Sequence, residues 1–122
     1  MTEETEPDVT WREFAFCEGR RRIPLERLLY IESRLHKLEF HVMEDKLRTY
    51  SIYDTLNRMQ RYMESEDFLR IHQSFLLNMR YIQSICRYRA VLYDGRSFPI
   101  PKARYKEVWE AYKAYRAENR EG

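Results

Sequence analysis

FLRIHQSFLLNMRYIQSI, Phe68 to Ile85, interleaves apolar residues with cationic and amide residues and contains neither glycine nor proline. Phe68, Ile71, Phe75, Leu76, Leu77, Ile82 and Ile85 can supply core, while Arg70, His72, Gln73, Asn78 and Arg80 supply hydrogen-bonding groups. The forked ends of arginine, glutamine and asparagine match the edges of guanine and adenine, or a phosphate. A short strand, a polar break and a second short strand would hold those groups on a rigid edge. Half-buried strands commonly carry arginine outward, so the spacing alone names no function.

Working outward, the rest of the chain reads as short strands. WREFAFC, Trp11 to Cys17, alternates at period two. Glu18-Gly19 turns it, and Arg20 to Ile23 begin the return. Pro24 to Leu28 suit a single helical turn with proline in its permitted first position, and Leu29 to Glu32 a buried strand. Ser33 to Lys37 break the apolar pattern. Leu38 to Met43 and Leu47 to Ser51 form a hairpin about Glu44-Asp45-Lys46. Ser51 with Asp54 three residues on resembles a capping box, and predicts a helix with Tyr53, Leu56, Met59 and Met63 on its inner face, ending near residues 64–66. Ile82 to Tyr88, Ala90 to Tyr93 and Arg96 to Ile100 are further strands, the last two joined through Asp94-Gly95. Tyr105, Val108, Trp109, Tyr112 and Tyr115 recur at helical spacing after Pro101. The first half of that stripe suits core packing, and Tyr112 and Tyr115 are left as a possible dimer contact. The expected fold is mainly β, with about eight to ten short strands and two helices, one of them C-terminal.

At 122 residues the chain is one domain, and 43% hydrophobic with 15% aromatic content suits a folded core rather than disorder. Residues 1–9 read as a flexible acidic lead-in, 10–116 as the domain and 117–122 as a polar tail. No apolar run approaches the roughly 18–20 residues that span a bilayer, and MTEETEPDV lacks the basic and apolar segments of a secretory signal. A cytoplasmic protein is expected. Cys17 and Cys86 match neither a CxxC pair nor zinc-ligand spacing, and are expected to be reduced thiols in the core. The net charge of +2 conceals an asymmetry: Glu3, Glu4, Glu6 and Asp8 precede any cation. Setting those four acids aside leaves 22 basic against 16 acidic residues, a net +6, and 17 of the cations are arginine. Arginine favours bidentate phosphate and guanine recognition. Three histidines, three glycines and no GxSxG, HExxH or phosphate-loop motif argue against an enzyme, and no cofactor or metal is expected.

The order F-x-R-I-H-x-S-F-x-x-N-x-x-Y-I, carried here by Phe68, Arg70, Ile71, His72, Ser74, Phe75, Asn78, Tyr81 and Ile82, closely resembles the signature of LytTR-type DNA-binding domains. IPLERLLYIES (Ile23 to Ser33) resembles a second family block, and LYDGRSFPIPKARYKEV (Leu92 to Val108) its last hairpin and helix. The resemblance runs from about Trp11 to Tyr115. It implies elongated antiparallel sheets whose loops enter successive major grooves, in bacterial transcription regulation. It also implies two copies on a direct repeat, and often a receiver domain or membrane-bound regulator in the same system. A module of this fold that binds a protein partner without reading DNA is the alternative.

Three loops follow from the resemblance. In the first, His36 is a base-reading candidate with Arg34 and Lys37 as phosphate or positioning contacts, and a solvated loop histidine is the plainer alternative. In the second, Gln73 occupies the variable slot and suits adenine, His72 and Ser74 would brace the loop, and Arg80 would meet a phosphate. Asn78 is either a DNA-positioning contact or a turn residue. The third loop departs from the family: Pro101 stands where a small hydroxyl residue is usual, and Ala103 where arginine is often found. Arg104 is then the base-reading candidate and Lys102 a phosphate contact, with the two roles open to exchange.

Overall fold

The computed structural model describes residues 9–64 and 66–119, so most of the expected lead-in and the end of the expected tail lie outside the described residues. Ten strands and two α-helices follow in order. They are β1 (Trp11–Phe16), β2 (Gly19–Pro24), β3 (Leu28–Arg34), β4 (Lys37–Met43), β5 (Leu47–Ile52), α1 (Leu56–Tyr62), β6 (Phe68–His72), β7 (Phe75–Asn78), β8 (Ile82–Cys86), β9 (Arg89–Leu92), β10 (Ser97–Pro99) and α2 (Lys102–Glu118). Single 3-10 turns at Leu25–Arg27 and Met79–Tyr81 lead into β3 and β8.

A five-stranded antiparallel sheet, ordered β5-β4-β3-β7-β6, forms the middle layer. Period-two alternation sends Leu38, Phe40 and Val42 of β4 to one face and Glu39 and His41 to the other. The first face carries a core with Phe14 and Phe16 from the β1–β2 hairpin, Tyr50, and Leu56, Met59 and Met63 from the α1 region. Phe14, Phe16 and Phe40 meet with ring centroids 5.0–5.4 Å apart, the usual range for aromatic pairs. On the second face Tyr30, Leu77 and Ile71 pack with Ile82, Ile85, Leu92 and Phe98 of the β8–β10 sheet, and with Val108 and Tyr112 of α2. Leu28 and Leu29 of the central strand enter opposite cores, which explains the unbroken apolar run there.

Several expectations are corrected. The capping box is not formed at Ser51, because β5 continues to Ile52: the Ser51 N–H donates to the Glu18 carboxylate and its carbonyl accepts from Cys17. Thr55 caps α1 instead, accepting from the Arg58 N–H at 3.2 Å. Tyr53 consequently precedes the helix and is 70% exposed rather than on its inner face. Both cysteines are exposed, not core. Alternation accounts for Cys17, since Phe14 and Phe16 point inward and the odd positions between and after them point out. Tyr112 is buried, and its hydroxyl donates toward the Ile82 and Gln83 carbonyls, so it is core and not a free dimer contact.

Candidate nucleic-acid interface

Antiparallel pairing brings two polar turns to one end of the five-stranded sheet. Glu32 of β3 pairs with Phe75 of β7, so the end of β3 lies beside the start of β7. The Ser33 N–H donates to the Ser74 carbonyl at 2.9 Å, tying the two turns directly. The β3–β4 turn is closed by the Arg34–Lys37 pair, with Leu35 and His36 as its two central residues. Both have positive φ, 48° and 69°. That is the backbone of a type I′ hairpin, which normally selects asparagine and glycine. Side chains with a Cβ pay roughly 1–2 kcal/mol each to adopt it. Leu35 is 86% exposed, so burial returns none of that cost. Strain held without a packing reason points to a use for the turn in contact with something else. His36 is exposed at its tip, and the Lys37 ammonium sits 5.1 Å from the centre of the exposed Tyr53 ring.

The β6–β7 turn is held by a residue whose role the sequence did not disclose. The Arg70 guanidinium donates to the His72 and Gln73 carbonyls, and also to the Asn57 and Gln60 side chains of α1, all at 2.8–2.9 Å. The turn's backbone is therefore fixed to the helix behind it. His72 Nδ1 accepts from the Ser74 N–H at 3.0 Å, and the imidazole leans on Phe75. Gln73, pinned by its carbonyl, leaves its side chain exposed. A preorganised polar tip of this kind loses little entropy on binding. Arg70 itself is partly buried and near Arg104: burial first, then the Arg104 charge, depresses its pKa.

α2 packs against β6, and with the Arg104 charge felt at Arg70 this brings the third loop toward the same end. Pro101 precedes α2 with φ −58° and ψ 146°, and the Arg104 N–H donates back to the Pro101 carbonyl. Lys102 is exposed and Arg104 half-buried in the first turn. A helix start carries partial positive charge, which adds to theirs. Among the described residues none of Arg34, Lys37, Lys102 and Arg104 lies within 4.0 Å of a carboxylate. Together with His36 and Gln73 they make one cationic, amide-bearing end.

Two candidates lie elsewhere. Asn78 and Arg80 stand at the opposite end of β7 from Gln73, four or more residues along the strand. Asn78 is 3% exposed. Its Nδ2 donates to the Leu25 and Leu28 carbonyls, and its Oδ1 accepts from the Arg80 N–H. It is the turn residue that the sequence left open beside a DNA contact, and it has no face for a phosphate. Arg80 is exposed, but separated from the three loops by the length of the strand.

Behind the first turn, Glu32 and Glu39 face each other across β3 and β4. Burial, then Glu39, pushes the Glu32 carboxyl above its usual range. With His41 they form the one metal-ligand-like group among the described residues, with candidate donor atoms within 4.8 Å of one another. His41 stacks flat on Tyr30, with ring centroids 4.2 Å apart. Burial, then the Arg96 charge, lowers its pKa to about 4, so it is a neutral packing residue at physiological pH.

The family model described as the LytTr DNA-binding domain matches residues 18–113. Sensory transduction protein LytT of Bacillus subtilis is 31% identical over 65 residues, covering 49% of this chain. The match spans 27% of that protein, so the chain corresponds to about a quarter of its length. Among solved structures, the LytTr DNA-binding domain of a methyl-accepting/DNA response regulator from Bacillus cereus superposes with a TM-score of 0.67 at 18% identity, over 84% of this chain and 95% of that one. The likeness extends to the fold. The matched family is described by DNA binding, not by catalysis.

Proposed function

The chain belongs to the LytTR DNA-binding domain family, and on that premise we propose that it reads double-stranded DNA by sequence with the loop-bearing end of its central sheet. His36 and Gln73 face base edges in successive major grooves, with Arg104 or Lys102 reading a third position. Arg34, Lys37 and whichever of Lys102 and Arg104 does not read bases meet phosphates. Phosphate contacts supply affinity and register, and base contacts supply discrimination. His72, Ser74 and Arg70 hold the second loop in shape. Two copies bind a direct repeat in bacterial transcription regulation. The domain works in the cytoplasm, alone or joined to a receiver domain or a membrane-bound regulator.

The observation that supports this reading most is the convergence of three separate polar loops on one end. Two of them are locked by the Ser33–Ser74 hydrogen bond and by the four-way Arg70 contact. A salt titration on duplex DNA tests it. With about three phosphates neutralised by each copy, log affinity per copy falls against log salt with a slope near −3. A module that binds only a protein partner gives no salt-dependent duplex binding.

A further inference from the structure

The hairpin between β8 and β9 carries the same unusual backbone as the first DNA-reading turn. Arg87 and Tyr88 have φ values of 54° and 64°, and Cys86 and Arg89 close the turn. These are again two residues with a Cβ in a type I′ position that favours Asn-Gly. Both are exposed, and only Tyr88, against Tyr105, has packing to set against the strain. Among the described residues no carboxylate lies within 4.0 Å of Arg87 or Arg89.

The position of this turn matters as much as its shape. The Ile100 N–H donates to the Tyr88 carbonyl at 2.8 Å, and the Tyr88 ring packs on Tyr105 with centroids 4.5 Å apart. Residues 100 and 105 bracket Pro101 to Arg104, the third loop. Arg89 is steadied by a hydrogen bond from its Nε to the Ser97 hydroxyl. The turn thus packs against the two residues that flank the third loop, Ile100 before it and Tyr105 after it.

We propose that the Arg87–Tyr88–Arg89 hairpin is a fourth DNA contact, in which Arg87 and Arg89 neutralise backbone phosphates flanking the third loop and Tyr88 braces that loop through Tyr105. This rests on the DNA-binding reading above. It assigns the hairpin to affinity and footprint length rather than to base choice, because arginines in an exposed turn meet phosphate without a groove floor to read.

Two variants separate a binding role from a turn role. Arg87→Asn supplies a residue that a type I′ turn prefers while keeping the Tyr88–Tyr105 contact, and raises the thermal midpoint or leaves it unchanged. Arg87→Glu leaves Tyr88 in place and reverses one charge. Wild type and both variants are titrated with one duplex at several salt concentrations, alongside hydroxyl-radical footprinting. The expected result is affinity lower by about tenfold in each variant, a salt slope shallower by about 1, and loss of protection at the outer edge of the footprint. Wild-type affinity, slope and footprint in both folded variants would overturn the fourth contact and leave the DNA-binding reading intact. Absence of salt-dependent duplex binding by the wild type would overturn both.

Discussion

His36 sits on a strained, exposed turn, and its side chain is free of the packing that occupies most of this domain's aromatic residues. His36→Ala is therefore expected to leave the Tm within a few degrees of wild type. It lowers affinity for a cognate duplex by roughly tenfold or more, the scale of one good base contact, and affinity for a scrambled duplex much less. Competition binding with the two duplexes checks this, and equal losses on both would reduce His36 to a positioning contact. Asn78 is the opposite case. Asn78→Ala takes a donor from the buried Leu25 and Leu28 carbonyls, the first of which keeps the Leu28 N–H, and leaves the Arg80 N–H without its acceptor, at about 1–3 kcal/mol for each unsatisfied group. Chemical denaturation should show a loss of about 2–4 kcal/mol, while the folded protein keeps its DNA affinity. Both residues stand in the sequence as polar candidates for contact with DNA. What divides them is which end of a strand each occupies, and that depends on pairing between residues some fifty positions apart.

At the scale of elements, the hairpins were legible because period-two alternation and turn residues act locally. The start of α1 was not. Ser51 and Asp54 have the composition of a cap, but Glu18 and Cys17, distant in sequence, hold the Ser51 backbone in β5. Arg70 was visible as a polar residue in a strand, yet its work depends on Asn57 and Gln60 of a helix packed beside it. The β3–β4 pair carries a pH dependence of its own. His41 has a folded pKa near 4, below the ordinary 6.5, because burial and then Arg96 disfavour its charged form. The unfolded chain therefore binds the proton more readily, and this contribution to stability is full above pH 6.5 and lost as the pH falls toward 4. Glu32, its carboxyl raised by burial and then by Glu39, contributes in the opposite sense. Thermal melts between pH 7 and pH 4 should show a decline that is shallower in His41→Phe, which keeps the ring against Tyr30. An unchanged decline would place the acid sensitivity elsewhere.

Across the whole molecule, a rigid central sheet with a core on each face holds three loops at one end and leaves α2 to seal the second core. The mainly β class, the number of strands and the C-terminal helix were all readable from Trp11 to Tyr115, because three ordered blocks constrain the same topology. The shared end of the loops was implied by resemblance, and its construction came from the register of β3 with β7. The exposed cysteines and the Arg87–Tyr88 turn were not foreseen. In the first case alternation was outweighed by the usual burial of thiols, and in the second a type I′ turn lacked its customary glycine. The whole-molecule claim is that this end reads DNA by sequence. Selection of bound duplexes from a random pool at physiological salt, followed by titration of the enriched sequence, tests it most directly. Enrichment of a spaced direct repeat, with the preference lost on changing His36 and Gln73 together, is the predicted result. Recovery of an unenriched pool, with wild type and the double variant binding it equally weakly, would contradict it.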